Sequence, residues 1–176
     1  MKKLTIVLII FLFLSGCSSP TLQNTIEKSG MGKVNILFQD EKDGTVIYLK
    51  EEGNDQNLLV ITTFFKTEYL DRYRLGSHSE SKVINPLEKD DDISFFYSEN
   101  IDAIILWGLA SGYSDIDRAD YTILDDYGNI LHNSSVKLSK NNLIFDKLPN
   151  EIKPSSIKSI LYKLTSTDGK VIVDRY

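Results

Sequence analysis

Ile104-Ile105-Leu106-Trp107-Gly108-Leu109 is an uninterrupted apolar run bounded by Asp102 on one side and Ser111-Gly112 on the other. It is too short for a buried helix and is bracketed by turn formers, so it reads as a β-strand, with Trp107 as the expected centre of the core. Similar short runs repeat on both sides of it: Ile93–Tyr97, Ala119–Leu124, Ile130–Leu138, Leu143–Phe145, Ile157–Leu164 and Val171–Val173. Polar links separate them. Two of these, Asp126-Tyr127-Gly128-Asn129 and Thr167-Asp168-Gly169-Lys170, carry the glycine that tolerates the positive φ of hairpin turns. Seven short strands with this punctuation predict a two-sheet β fold over residues 93–176.

Upstream, Val34–Phe38 and Thr45–Leu49 flank a turn containing Gly44, and Leu58–Phe65 is a long β-branched and aromatic run without helical spacing. Residues 33–66 are therefore expected to form a three-stranded antiparallel meander. The stretch Tyr69–Leu75 fits a half-exposed strand or a turn of amphipathic helix. Ser77–Asp92 is polar, contains Pro86 and ends in three aspartates, so it reads as a long surface loop. Residues 33–92 are thus expected to be meander plus loop.

The N-terminus has a different character. Lys2 and Lys3 precede Leu4–Leu14, in which Thr5 is the only residue that is not strongly apolar. This is the layout of a signal peptide. Eleven residues span only about 16 Å as a helix, against a hydrocarbon core of about 30 Å, so the run is too short for an ordinary membrane span. It ends in Leu14-Ser15-Gly16-Cys17, which holds the only cysteine of the chain.

This tetrapeptide resembles the lipobox of bacterial lipoproteins. The resemblance implies a diacylglyceryl group on the Cys17 sulfur, cleavage just before Cys17, and a protein held by its lipid on the extracytoplasmic face of a bacterial cell membrane. Two acyl chains give stable anchoring where one gives marginal binding. The alternative is a secreted protein with a chance cysteine near its cleavage site, which leaves an odd thiol. Residues 1–16 are the expected leader. Residues 17–32, rich in Ser, Thr, Asn, Gly and Lys, are expected to act as a lipid-anchored tether, with Pro20, Leu22, Ile26 and Gly30 allowing one short helix.

The succession of strand, Asp-rich link, strand, Asp-Gly-Asn turn, Leu-Pro loop and final Asp-Gly-Lys hairpin in residues 93–176 looks like the immunoglobulin-like β-sandwich half of small bacterial surface lipoproteins. The resemblance implies a mainly β fold, with an antiparallel immunoglobulin-like β-sandwich following the N-terminal meander. It implies no activity, since sandwich folds host many. No cysteine pair flanks Trp107, so antibody-type domains are not implied.

Charge narrows the partners. The chain carries a net charge of −5, which becomes −7 when Lys2 and Lys3 leave with the leader. An acidic protein is a poor nucleic-acid ligand, because Lys and Arg supply most phosphate affinity. With Cys17 lipidated, disulfides, cysteine-ligated zinc and thiol nucleophiles are all excluded.

The motifs that bear chemistry are sparse. Asp115, Asp117 and Asp120 bring three carboxylates within six positions, as calcium loops do, but Ala119 and Asp120 occupy positions where such a loop needs a ligand and a glycine. The plainer reading is a solvated acidic link with Arg118 screening it, and Asp90-Asp91-Asp92 is read likewise as a solvated loop run. Gly108-Leu109-Ala110-Ser111-Gly112 lacks the spacing of a nucleophile elbow, and neither His78 nor His132 is tied to a serine. No cofactor is implied.

Tyr69, Arg72, Tyr73 and Arg74, with His78 nearby, form an aromatic and cationic island in an acidic chain. These residue types are enriched where proteins bind partners, although tyrosines facing a core with arginines paired to neighbouring acids would give the same sequence. The expected function is a non-catalytic, lipid-anchored surface protein that binds an envelope component, protein or glycan. A lipid-anchored hydrolase and a lipocalin-like carrier are the alternatives.

Overall fold

A computed structural model describes residues 18–53, 56–67, 69–85, 87–139 and 141–176. Residues 1–16, expected to be a leader, together with Cys17 and Pro86, lie outside the described residues. The fold is mainly β with antiparallel sheets and one short helix. Two compact units divide it. The first comprises the described residues up to Glu51 with Val60–Ser79, and the second comprises Glu52–Leu59 with Glu80–Tyr176.

The first unit begins with Ser18-Ser19 and a five-residue helix, α1 (Leu22–Ile26), whose first turn is capped by Thr21 Oγ1 accepting the Asn24 N–H at 3.2 Å. A wide helical turn, Glu27–Met31, follows and is broken at Gly30, where φ is +94°. Strands β1 (Val34–Asp40), β2 (Thr45–Gly53), β3 (Gln56–Thr67) and β4 (Arg72–Ile84) make one sheet in that order. The β1–β2 turn is an aspartate-capped one: Asp40 Oδ1 accepts the N–H groups of Lys42 at 2.9 Å and Asp43 at 3.2 Å. Val46, Ile47, Tyr48, Ile61 and Phe64 are buried.

Two expectations are corrected in this region. Residues 18–31 do not behave as a free tether. Ser19 pairs antiparallel with Tyr73, its carbonyl accepts the Tyr73 N–H at 2.9 Å, and Leu22 and Ile26 are 3% and 0% exposed. The apolar pair four residues apart supplies one helical face, and burying that face pulls the segment onto the protein. The second correction concerns the polar stretch after Ser77, which is strand up to Ile84 and again from Asp90. β4 lies at the edge of its sheet, where Ser77, His78, Ser79 and Ser81 are exposed on an otherwise regular strand.

The second unit contains β5 (Asp90–Ser98), β6 (Ala103–Ser111) and β9 (Leu143–Lys147) in a three-stranded sheet ordered β5-β6-β9. A four-stranded sheet ordered β11-β10-β7-β8 uses β7 (Ile116–Leu124), β8 (Ile130–Lys137), β10 (Ser159–Ser166) and β11 (Val171–Asp174). Both sheets contribute to one apolar cluster. Ile93, Ile104, Leu106 and Ile144 come from the first, and Ala119, Tyr121, Ile123, Leu164 and Val173 from the second. The two Gly turns form as read: φ is +80° at Gly128 and +84° at Gly169.

Every residue of β6 is buried, so both faces of this strand are covered. Successive side chains alternate. Ile104 and Leu106 enter the cluster between the sheets, and Trp107 faces the other way. Trp107 is fully buried, as expected, but it is not the centre of the inter-sheet core. The Lys82 ammonium sits 4.9 Å from its ring centroid, and Trp107 Nε1 has no hydrogen-bond partner. Lys82 Nζ also lies 2.9 Å from Asp92 Oδ2, a contact ion pair whose angles are not those of a hydrogen bond. Burial lowers the Lys82 pKa, and Asp92 opposes that shift. Gly108 marks a close backbone approach, since a Cβ there would meet the Asp92 carbonyl oxygen at 2.2 Å.

Candidate functional site

The aromatic and cationic island lies on the hairpin formed by β3 and β4. The boundary between turn and strand splits it. Tyr69, in the turn, is 98% exposed, whereas Tyr73, in β4, is 8% exposed. The Tyr73 hydroxyl donates to Glu41 Oε1 at 2.7 Å, its ring stands 5.7 Å from that of Phe64, and the Lys66 ammonium lies 5.2 Å from it. Hydrogen bonding to Glu41 is the main cause of its raised pKa, with burial adding to it. The surface with both tyrosine rings exposed, expected from the sequence, is therefore corrected to one exposed ring and one inward ring.

The arginines take separate roles. Arg72 Nη1 donates to the Ser18 carbonyl at 3.5 Å and to Ser18 Oγ at 3.4 Å, holding the start of the described chain against β4. Arg74 is exposed and helps line a groove of about 480 Å³ with Thr25, Lys28, Ser29, Phe65 and Leu75. Phe65 is 52% and Leu70 70% exposed. Lys66 bridges the turns, 3.8 Å from Glu41 and 3.1 Å from Asp71.

The acidic link does not gather its carboxylates. Asp117 lies 3.6 Å from Lys137, and Asp120 is 3.1 Å from Arg118 Nε. Asp115 has a φ of +73°, and its carbonyl accepts the Thr167 N–H at 3.1 Å. Among the described residues, no group of three or more His, Cys, Asp or Glu side chains is arranged to hold a metal ion.

Asp91 is the polar residue whose role differs most from the sequence reading. It is not solvated loop but lies in β5, with its side chain 3% exposed. Tyr113 Oη donates to Oδ1 at 2.8 Å and Tyr162 Oη to Oδ2 at 2.9 Å. Arg175 donates from Nε to Oδ2 at 3.1 Å and from Nη2 to Oδ1 at 3.3 Å. Burial alone would raise the Asp91 pKa, but the hydrogen bonds from Arg175, Tyr113 and Tyr162 outweigh it and hold the carboxyl below its usual range. Burial and Asp91 together push the Tyr113 hydroxyl up to about 12. A carboxylate saturated by four donors is a weak base, so the cluster serves as a clamp joining β5 to β10 and to the residues after β11. A second, half-buried pair, Tyr121 Oη donating to Asp146 Oδ2 at 2.7 Å, joins β7 to β9.

The clamp escapes sequence reading because Asp91 is separated by 71 residues from Tyr162 and by 84 from Arg175. One local signal exists: Asp91 shares the two-residue alternation of Ile93 and Phe95, which belong to the core face. Among the serines, Ser111 Oγ donates to the Asn85 carbonyl at 3.4 Å, and the His132 ring lies 5.9 Å from that of Tyr121.

No protein-family model matches the chain, and neither does any curated protein or solved structure.

Proposed function

We propose that the protein is a lipid-anchored component of a bacterial cell envelope, attached through a diacylglyceryl group on Cys17, that acts by contact and not by turnover. The observation that carries this reading is the ordered succession of Lys2-Lys3, the short apolar run and Leu14-Ser15-Gly16-Cys17. Its partner is an envelope protein or glycan, and no nucleic acid is bound, in keeping with the net charge of −7 after leader removal. The buried Asp91 carboxylate is occupied by Tyr113, Tyr162 and Arg175, which favours scaffolding over acid–base chemistry.

In this reading the second unit is an immunoglobulin-like sandwich. Its seven strands in chain order divide as first, second and fifth in one sheet, and seventh, sixth, third and fourth in the other. The constant-type arrangement keeps the fourth strand beside the fifth, in the sheet with the first and second. Here the fourth strand has moved across to the third, a variation confined to one edge.

Fractionation of cells expressing Cys17→Ala tests the anchor. The variant is expected to leave the membrane fraction on a carbonate wash while the parent protein stays. A variant that remains bound after the wash refutes the attachment. Crosslinking in intact cells then tests the contact function and is expected to recover a discrete envelope partner.

A further inference from the structure

The first unit concentrates its exposed apolar surface in one place. Among its described residues, the exposed large hydrophobic side chains are Phe65, Tyr69 and Leu70, and all three belong to the β3–β4 hairpin. The same hairpin grips the beginning of the described chain through the Ser19–Tyr73 pairing and the Arg72–Ser18 contacts. Cys17 directly precedes Ser18 in the sequence. The turn is two to four residues along β4 from Tyr73, within roughly 13 Å at strand spacing.

We propose that the β3–β4 turn is a membrane-contact element: Tyr69, Leu70 and Phe65 enter the headgroup layer of the bilayer that holds the Cys17 acyl chains, and Lys28 and Arg74 meet phospholipid phosphates. This rests on the lipid-anchor reading. A thioether-linked diacylglycerol keeps its cysteine at the level of the headgroups, and the chain leaves that cysteine without a flexible spacer, since Ser19 is already fixed. The first unit is thereby held at the surface. Tyrosine is suited to the interface because its ring is apolar and its hydroxyl wet, and apolar groups bury about 5–10 Å into this layer.

The charge pattern agrees. Lys28 and Arg74 rim the groove beside Phe65 and make no ion pair among the described residues. Glu41, on the neighbouring hairpin, is occupied by the Tyr73 hydroxyl and by Lys66, and Asp71 is also paired with Lys66. The concentration of apolar groups beside unpaired cations is the composition of a lipid-facing surface, whereas apolar residues scattered singly would need no explanation.

The test uses the full lipidated protein, extracted from membranes and reconstituted into phosphatidylethanolamine–phosphatidylglycerol vesicles, with and without bromine on the upper acyl chains. Leu70→Trp reports the turn, and Glu51→Trp reports an exposed site near the far end of β2. The native Trp107 is fully buried and supplies a constant background. The added Leu70→Trp emission is expected to shift to the blue and to fall about twofold with brominated lipid, and Lys28→Glu with Arg74→Glu should reverse much of that loss. Glu51→Trp emission should not change. Unquenched Leu70→Trp in a protein that still floats with the vesicles overturns the contact and leaves the anchor standing, and equal quenching at both sites overturns it as well. A mass spectrum showing an unmodified Cys17 overturns the anchor reading, and this contact with it, whatever the quenching.

Discussion

The two units dispose of polar and apolar groups in opposite ways. The second buries a carboxylate and anchors it, with Asp91 under Tyr113, Tyr162 and Arg175, and its exposed apolar residues fall on several elements, from Val83 to Tyr176. The first pairs Lys66 with Glu41 and Asp71 at its surface and gathers its exposed apolar residues on one hairpin. Dispersed exposure is what any folded surface shows, whereas a concentrated patch marks a contact. On the proposed reading, the second unit is the scaffold and the first carries the contact.

Substitutions sharpen the contrast. Trp107→Ala removes the largest fully buried side chain and should cost about 3–5 kcal/mol by denaturant titration. An unchanged midpoint would show that the outer face of β6 is not a second core. Ile26→Ala should cost about 2–4 kcal/mol, because the side chain is completely buried. A loss within about 0.5 kcal/mol, the range for an ordinary surface site, would return residues 18–31 to the status of a tether.

Asp91→Asn should cost about 2 kcal/mol, since it weakens several hydrogen bonds to one buried charge. The pH dependence follows from the same residue. Its folded pKa lies below the unfolded value of about 3.9, so its contribution is complete above that pH and is lost as the pH falls through the depressed folded value. Asp91→Asn should flatten the acid limb of the stability curve. The opposite sign holds for Tyr113, whose folded pKa is raised to about 12: its contribution is complete below about 10 and is lost as pH rises through 12. Leu70→Ser should change stability least, within about 0.5 kcal/mol, because the side chain is 70% exposed. A large loss there would mean that the turn is structural and not a contact surface.

Much of the strand content was legible in the sequence, because β1–β3, the Ile93–Tyr97 part of β5, and β6–β11 carry β-branched and aromatic runs separated by polar links. β4 was not legible beyond Leu75, since an edge strand needs no apolar alternation and His78, Glu80 and Lys82 look like loop. The burial of both faces of β6 was not legible either: six apolar residues in a row do not say which element covers each side, and Trp107 turned away from the inter-sheet cluster. For residues 18–31 the helix signals were present in Pro20, Leu22 and Ile26, but the Ser19–Tyr73 pairing that fixes the segment spans more than fifty residues of sequence. The hairpin island was visible as composition. Which of its tyrosines faces outward depended on where β4 begins.

On the proposed anchoring, a lipid on Cys17 leads directly into a folded unit that begins at Ser18-Ser19. Mass spectrometry of the N-terminal peptide from membrane-extracted protein tests it most directly. The account predicts a peptide that begins at Cys17 and carries the diacylglyceryl mass. A peptide that begins at another residue, or a Cys17 with a free thiol, would contradict it.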